Sequence, residues 1–157
     1  MLIIADSSAL IALATCEGLD LLIKIFEELK VPQAVYNEVI EPGKSQASLL
    51  EKYLNDRVEI IDTSEFIVTV GGIGQGELES MALYKKLSAD KLLIDDRRAR
   101  VIAEFNNIQC IGSLGILLLA KHKGVIHKVA PYIEKLRISS IHFGEDLLKK
   151  VIQLAGE

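Results

Sequence analysis

The chain is poor in the residues that mark several function classes. It has two cysteines, Cys16 and Cys110, three histidines and three prolines among 157 residues. The cysteines form no CxxC pair, and neither stands at ligand spacing from a histidine. Zinc binding and a disulfide framework are therefore not expected, and two reduced thiols packed as small apolar groups are. His122, His127 and His142 lie in the C-terminal third without a further ligand at metal spacing, so surface or helix-end roles are expected for them. Long apolar runs are also missing. Leu2-Ile3-Ile4-Ala5 stops at Asp6, with no basic segment before it and no small-residue cleavage site after it, so no signal peptide is expected. Leu114 to Ala120 is interrupted by Gly115 and closed by Lys121, far short of the roughly 20 apolar residues a membrane helix needs. A cytoplasmic protein without membrane association is expected. Excess positive charge is absent too: 18 Lys and Arg against 22 Asp and Glu give a net charge of −4. Modules that hold nucleic acid through phosphate contacts alone are usually basic. That argues against simple electrostatic binding, but not against an acidic site that first collects cations.

What is present is a globular composition, with 50% hydrophobic and 25% charged residues. The length suits one domain. Met1 to Ala5 is a continuous apolar run of the kind a strand buried on both faces requires. Asp6-Ser7-Ser8 offers capping side chains for a helix through Ala14. Leu19, Leu22, Ile23, Phe26 and Leu29 recur at helical spacing, which predicts an amphipathic helix over 19–29. Helices are expected over Gln33 to Ile40 and around Leu49 to Leu54, with Pro42-Gly43 breaking the chain between them. Strands are predicted at Val58 to Ile61, Phe66 to Val70, Leu92 to Ile94 and Ile108 to Ile111. Helices are predicted at Glu77 to Leu87, Arg97 to Phe105, Ser113 to His122 with Ser113 as cap, Val129 to Leu136 and Gly144 to Leu154. This alternation predicts an α/β fold: a three-layer sandwich with a central, mostly parallel sheet of about 4–5 strands flanked by helices.

In such sheets functional side chains gather at the carboxyl ends of the strands. Asp6 directly follows the first strand, and Asp95 and Asp96 follow Leu92-Leu93-Ile94. If these strands are parallel neighbours, three carboxylates meet at one edge. Their repulsion must be offset by a divalent cation with oxygen ligands or by Arg97, Arg98 and Arg100. Glu38 is set on the side of its helix away from Val35, Tyr36, Val39 and Ile40. Glu77 opens a helix after the glycine-rich stretch 71–76, where the helix dipole favours an acid. Taken singly, each acid reads equally as a cap, a solvated helix face or an ion-pair partner. Ser7 and Ser8 serve either as helix caps or as donors to an acid.

Four segments together resemble the PIN domain: Leu-Ile-Ile-Ala-Asp-Ser-Ser-Ala-Leu-Ile (2–11), Val-Pro-Gln-Ala-Val-Tyr-Asn-Glu-Val (31–39), Gly-Gln-Gly-Glu-Leu-Glu-Ser-Met-Ala-Leu (74–83) and Leu-Leu-Ile-Asp-Asp-Arg-Arg-Ala-Arg (92–100). Ile-Gly-Ser-Leu-Gly-Ile-Leu-Leu-Leu-Ala-Lys (111–121) further resembles a poorly characterised prokaryotic branch of that family. The likeness spans about residues 1–125 of a single domain over 1–157, leaving 126–157 as a C-terminal helical extension. It implies Asp6, Glu38, Glu77 and Asp95 as the catalytic acids, with Asp96 as second choice at the fourth position and as a further metal ligand. It also implies one or two Mg²⁺ or Mn²⁺ ions and cleavage of RNA phosphodiesters. Many members are toxins of toxin–antitoxin pairs and many form homodimers, so a small antitoxin protein and a second copy of the chain are expected partners. Ser7, Ser8, Arg97, Arg98, Arg100, Ser113 and Lys121 are the candidate substrate contacts. Two departures stand out: Glu77 where many members carry Asp, and a pair of acids at 95–96 where many carry one.

Three other readings compete. The glycines at 71, 72, 74 and 76 invite dinucleotide binding, but a GxGxxG pattern from Gly72 or Gly74 fails at Glu77 or Glu79, and no Walker lysine follows. Leu-Leu-Ile-Asp-Asp looks like the acidic pair of a phosphoacceptor domain, yet it lies mid-chain rather than after the first strand. The third alternative is a PIN-like module that binds RNA or protein without cutting.

Overall fold

The computed structural model describes residues 1–65 and 71–157. Five strands build one parallel sheet: β1 (Leu2–Ala5), β2 (Glu28–Pro32), β3 (Val58–Glu59), β4 (Lys91–Leu93) and β5 (Cys110–Ile111), in the order β3-β2-β1-β4-β5. β1 is central, with Ile3 opposite Leu29 on one side and opposite Lys91 on the other. The chain runs outward from β1 to β2 and β3, then returns to the other side of β1 to lay down β4 and β5. The sheet therefore has a topological switch point between β1 and β4, where the connections leave in opposite directions and open a crevice above the strand ends.

The apolar run at the amino terminus is explained by two cores, one on each sheet face. Ile3, Ala5, Leu29, Val31 and Leu93 point into the larger core. It is closed by α1 (Ser7–Thr15), α2 (Asp20–Phe26), α3 (Gln33–Val39), α4 (Ala47–Leu54) and α7 (Ser113–His122). Ile4, Leu92 and Ile94 point the other way, against α5 (Gln75–Leu87) and α6 (Arg97–Phe105). Alternate residues of one strand thus serve opposite faces, as a strand buried on both sides requires. This is the expected three-layer sandwich. The C-terminal helices α8 (Ala130–Arg137) and α9 (Glu145–Leu154) place Val129, Ile133, Leu136, Leu148 and Val151 in the larger core. Glu157 accepts from the Val129 amide at 2.7 Å and from Lys121 Nζ at 3.0 Å, fastening the start of α8 to the end of α7. Cys16 is buried and Cys110 half-buried, and both are free thiols. Among the described residues no helix is long and apolar enough to cross a membrane.

Several boundaries differ from the sequence reading. The helix predicted over 19–29 ends at Phe26, because Glu27 takes φ 73° and turns the chain into β2. Leu29 sits on that strand, where it is buried against β1 rather than on a helix face. Val31-Pro32 reads as extended from the sequence, since proline disfavours a helical residue before it, but the start of β2 was hidden because Leu29 continues the helical spacing by coincidence. The helix expected from Glu77 starts two residues earlier at Gln75, so Gly76 and Glu77 lie inside its first turn. Gly112, not Ser113, caps α7. Asp6 caps α1 by position, without a side-chain hydrogen bond to the helix. The strand predicted at Phe66 to Val70 lies outside the described residues.

Phe26 is fully buried at the hinge between α2 and β2. Phe26→Ala is expected to lower unfolding free energy by about 3–5 kcal/mol, measured by urea denaturation, with an unaltered fold by circular dichroism. A loss near zero would mean that α2 does not close the core.

Candidate metal centre

β1 ends at Ala5, and the Asp6 amide then donates to the Leu93 carbonyl of β4 at 2.9 Å. That bond carries the β1–β4 pairing one residue past β1 and seats Asp6 at the switch point, beside the turn that bears Asp95 and Asp96. Asp6 is only 4% exposed. Burial pushes its carboxyl up to about 7 from the ordinary 3.8; the Ser7 amide pulls it back in part, and the negative fields of Glu77, Glu38 and Asp96 raise it further. The Ser7 amide acts here through proximity, since it makes no well-aligned capping bond to Asp6.

Glu38 arrives from α3. Its Oε2 accepts from Ser7 Oγ at 2.7 Å, which ties the last turn of α3 to the first turn of α1. Gly76 makes this approach possible. A Cβ at that position would stand 3.2 Å from Glu38 Oε2, 3.4 Å from Val35 Cγ2 and 3.7 Å from Asp6 Oδ1. Glu77, the next residue, accepts from the Gly74 amide through Oε2, which leaves Oε1 without a protein partner among the described residues. One cleft of about 710 Å³ at the strand ends is lined by Asp6, Ser7, Ser8, Glu38, Glu77, Asp95 and Asp96, with Gly74, Gln75, Gly76 and Ala34 at its side. Its far wall is Ile141, His142, Phe143 and Leu147, from the segment leading into α9 and from α9 itself.

The two adjacent aspartates are used differently. Asp95 is engaged through both oxygens: Oδ1 accepts from the Ser113 amide and Oδ2 from Ser113 Oγ, both at 2.7 Å. Its pKa is raised by burial against the opposing pull of Ser113 and Arg100. Asp95 thereby bolts the end of β4 to the start of α7. Asp96 caps α6 through Oδ1, which accepts from the Ala99 amide at 2.8 Å, and its Oδ2 has no protein partner among the described residues.

The structure thus brings Asp6, Glu38, Glu77, Asp95, Asp96, Ser7 and Ser8 to one cleft. The other expected contacts do not line it. Arg98 donates to the Gly71 carbonyl at 3.2 Å and covers Gly72, which has φ 75°. Arg100 pairs with Glu104 at 3.4 Å, Ser113 is taken up by Asp95, Lys121 pairs with Glu157, and Arg97 is exposed at the start of α6. Two contributions escaped the sequence reading. His142 is exposed as expected, but on the cleft wall with Phe143; no motif or spacing marks that segment. Glu79 of α5 accepts from the Ala34 amide at 2.9 Å and from Gln75 Nε2 at 3.1 Å. It caps the start of α3 from α5, so the helices bearing Glu38 and Glu77 are held together. Its only sequence signal was an acid two residues after Glu77.

Among the described residues none of the five clustered acids enters an ion pair. Nor do any three His, Cys, Asp or Glu side chains there close into a cage for one ion. The donor set, all oxygen and net negative, fits Mg²⁺ or Mn²⁺.

A family model described as a PIN domain matches residues 2–157. No curated protein and no solved structure matched the chain.

The raised Asp6 pKa has a signed consequence for the cation-free protein. The folded state holds the proton up to about pH 7, while the unfolded chain releases it near 3.8. This group's stabilisation is therefore complete below pH 3.8 and is lost as pH rises through 7, a fall bounded at ~4 kcal/mol by the linkage relation. In EDTA, Asp6→Asn should flatten this part of the stability–pH curve; an unchanged curve would show that Asp6 is not the buried acid. Gly76→Ala should keep the fold and weaken Mn²⁺ binding in calorimetry by about tenfold, the effect of ~1.4 kcal/mol, because the added methyl crowds Glu38.

Proposed function

Because the chain belongs to the PIN-domain family, a family of nucleases that as a rule use divalent metals, we propose that it is a Mg²⁺- or Mn²⁺-dependent endoribonuclease. The observation that carries this reading is the cleft at the switch point, where Asp6, Glu38, Glu77 and Asp96 converge with no lysine or arginine in the lining to balance them among the described residues. The hydrogen bonds favour Asp96 over Asp95 as the fourth acid. Both Asp95 oxygens already serve Ser113, whereas Asp96 keeps one free and lies within the electrostatic reach of Asp6. Asp95 is then a positioning residue that sets where Asp96 stands.

When bound, one or two such ions supply Lewis acidity toward the phosphodiester and make water a better nucleophile near neutral pH. The protein's own groups do the rest. Asp6, sunk in the cleft floor, would release its proton to solvent when a cation takes the proton's place on the carboxylate. Ser7 holds Glu38 in one rotamer by its 2.7 Å bond, so the carboxylate is oriented before substrate arrives. The Gly74–Glu77 contact fixes the third acid against the first turn of α5. The pocket wall at 141–143 excludes part of the solvent on the far side. The proposal extends to a toxin of a toxin–antitoxin pair, acting on RNA in the cytoplasm as a homodimer.

The rival reading, a PIN-like module that binds without cutting, draws on the spread of the donors. Metal titration separates the two. Asp6→Asn should reduce Mn²⁺-dependent cleavage of single-stranded RNA by about 10²–10³-fold, the range lost when a main electrostatic contributor is removed, with the fold intact by circular dichroism. Glu38→Gln should weaken Mn²⁺ binding, and cleavage should track metal occupancy. Cleavage at the wild-type rate in Asp6→Asn would remove the proposal.

A further inference from the structure

Among the described residues the acidic cleft holds no lysine or arginine, so it has little with which to bind a polyanion. Two cationic side chains that open onto an adjoining groove lie past the far wall. Phe143 and Leu147 line the acidic cleft on one side and, on the other, a second groove of about 370 Å³ between α7 and α9. Asp95 is common to both cavities, so they meet along this ridge. Arg100 and Lys150 are the cationic side chains of the second groove. Lys150 is exposed and enters no ion pair among the described residues. Leu147 remains 46% exposed, although it lies one position from the buried Leu148 on α9. The ridge thus keeps an aromatic ring and an aliphatic side chain beside water, between a cation-collecting cleft and a basic groove.

We propose that this ridge and groove form a single-stranded nucleic-acid subsite, in which a base packs on Phe143 while the backbone leaves the acidic cleft toward Lys150 and Arg100. The inference rests on the nuclease reading for its choice of ligand and adds where the strand runs. A single strand fits because a duplex hides its base faces. Base–aromatic stacking tolerates any sequence, since every base has a π-face. His142, beside Phe143 on the same wall, offers a second flat surface at the cleft mouth. Charge complementarity selects the direction: phosphates leaving an acidic cleft that has no lysine or arginine among the described residues meet the fixed charge of Lys150 and Arg100 across the ridge.

The test is fluorescence anisotropy of a labelled, unstructured RNA oligonucleotide with the full chain in Ca²⁺, run beside Mn²⁺-dependent cleavage of the same RNA. Phe143→Leu keeps an apolar side chain against the core and removes the ring. It should weaken binding by about fivefold or more, the lower end of one stacked base, and Phe143→Trp should restore it. Lys150→Ala should lower the slope of log affinity against log salt by about 0.7, the effect of one lost phosphate contact on a single strand. Lys52→Ala, on α4 and outside both cavities, is the control and should match the wild type. Thermal unfolding of each variant checks the fold. The subsite is overturned if wild type does not bind the oligonucleotide, if it binds a duplex equally well, or if Phe143→Leu and Lys150→Ala both bind like wild type. It is also overturned if those substitutions leave affinity alone and instead dissociate a dimer, which would make the groove a protein interface. The two readings fail separately. Cleavage with unaltered affinity in the variants removes the subsite and keeps the nuclease; ring- and lysine-dependent binding without cleavage removes the nuclease and keeps the subsite.

Discussion

The site depends on the parallel pairing of β1 with β4. Ala5 stands opposite Leu93, and the Asp6 amide extends that ladder to the Leu93 carbonyl. This bond joins segments almost ninety positions apart and fixes a carboxylate at the one place where the sheet's connections diverge. Everything else at the cleft is arranged around Asp6. Glu38 is reached through Ser7, the residue after it; Gly76 lies against its Oδ1; and the fields of Glu77 and Asp96 act on it. Burial first, and then the fields of its acidic neighbours, lead Asp6 to hold a proton near neutrality in the absence of a counter-ion.

How much of this was readable in the sequence depends on the range of the signal. The β1 run and the acid after it were legible because a strand buried on both faces leaves a continuous apolar mark and then stops. The α6 boundaries, Arg97–Phe105, were read without error, since Asp96 caps that helix with its own side chain and the signal is local. The β2 strand was misread because Leu29 happens to fall at helical spacing from Phe26, while the residue that ends the helix is Glu27 at positive φ, a conformation glutamate does not advertise. The split of labour between Asp95 and Asp96 was not legible either. It depends on Ser113, eighteen positions on, whose amide and hydroxyl both turn back to Asp95. The sequence reading gave Ser113 to substrate or to a helix cap and could not see a tertiary hydrogen bond.

The basic residues teach a complementary lesson. Arg97, Arg98 and Arg100 sit next to the acids in sequence, which made them natural phosphate candidates. A helix turns successive residues by 100°, so three arginines in one turn point in different directions. Arg98 reaches the loop at Gly71, Arg100 lies over the second groove, and Arg97 faces solvent. Sequence proximity to a site is a weak guide on a helix. Conversely, the wall formed by His142 and Phe143 is distant in sequence from all four acids, and only the docking of α9 onto the larger core brings it to the cleft.

Glu79 draws these threads to a mechanical point. By bonding the Ala34 amide from α5, it makes α3 and α5 behave as the two jaws of a caliper, with Glu38 on one jaw and Glu77 on the other. The gap between the jaws is then set by a side chain that does not line the cleft. Under the proposed metal-dependent reading, ionic radius would be selected from behind the acids, by the length of the residue at position 79.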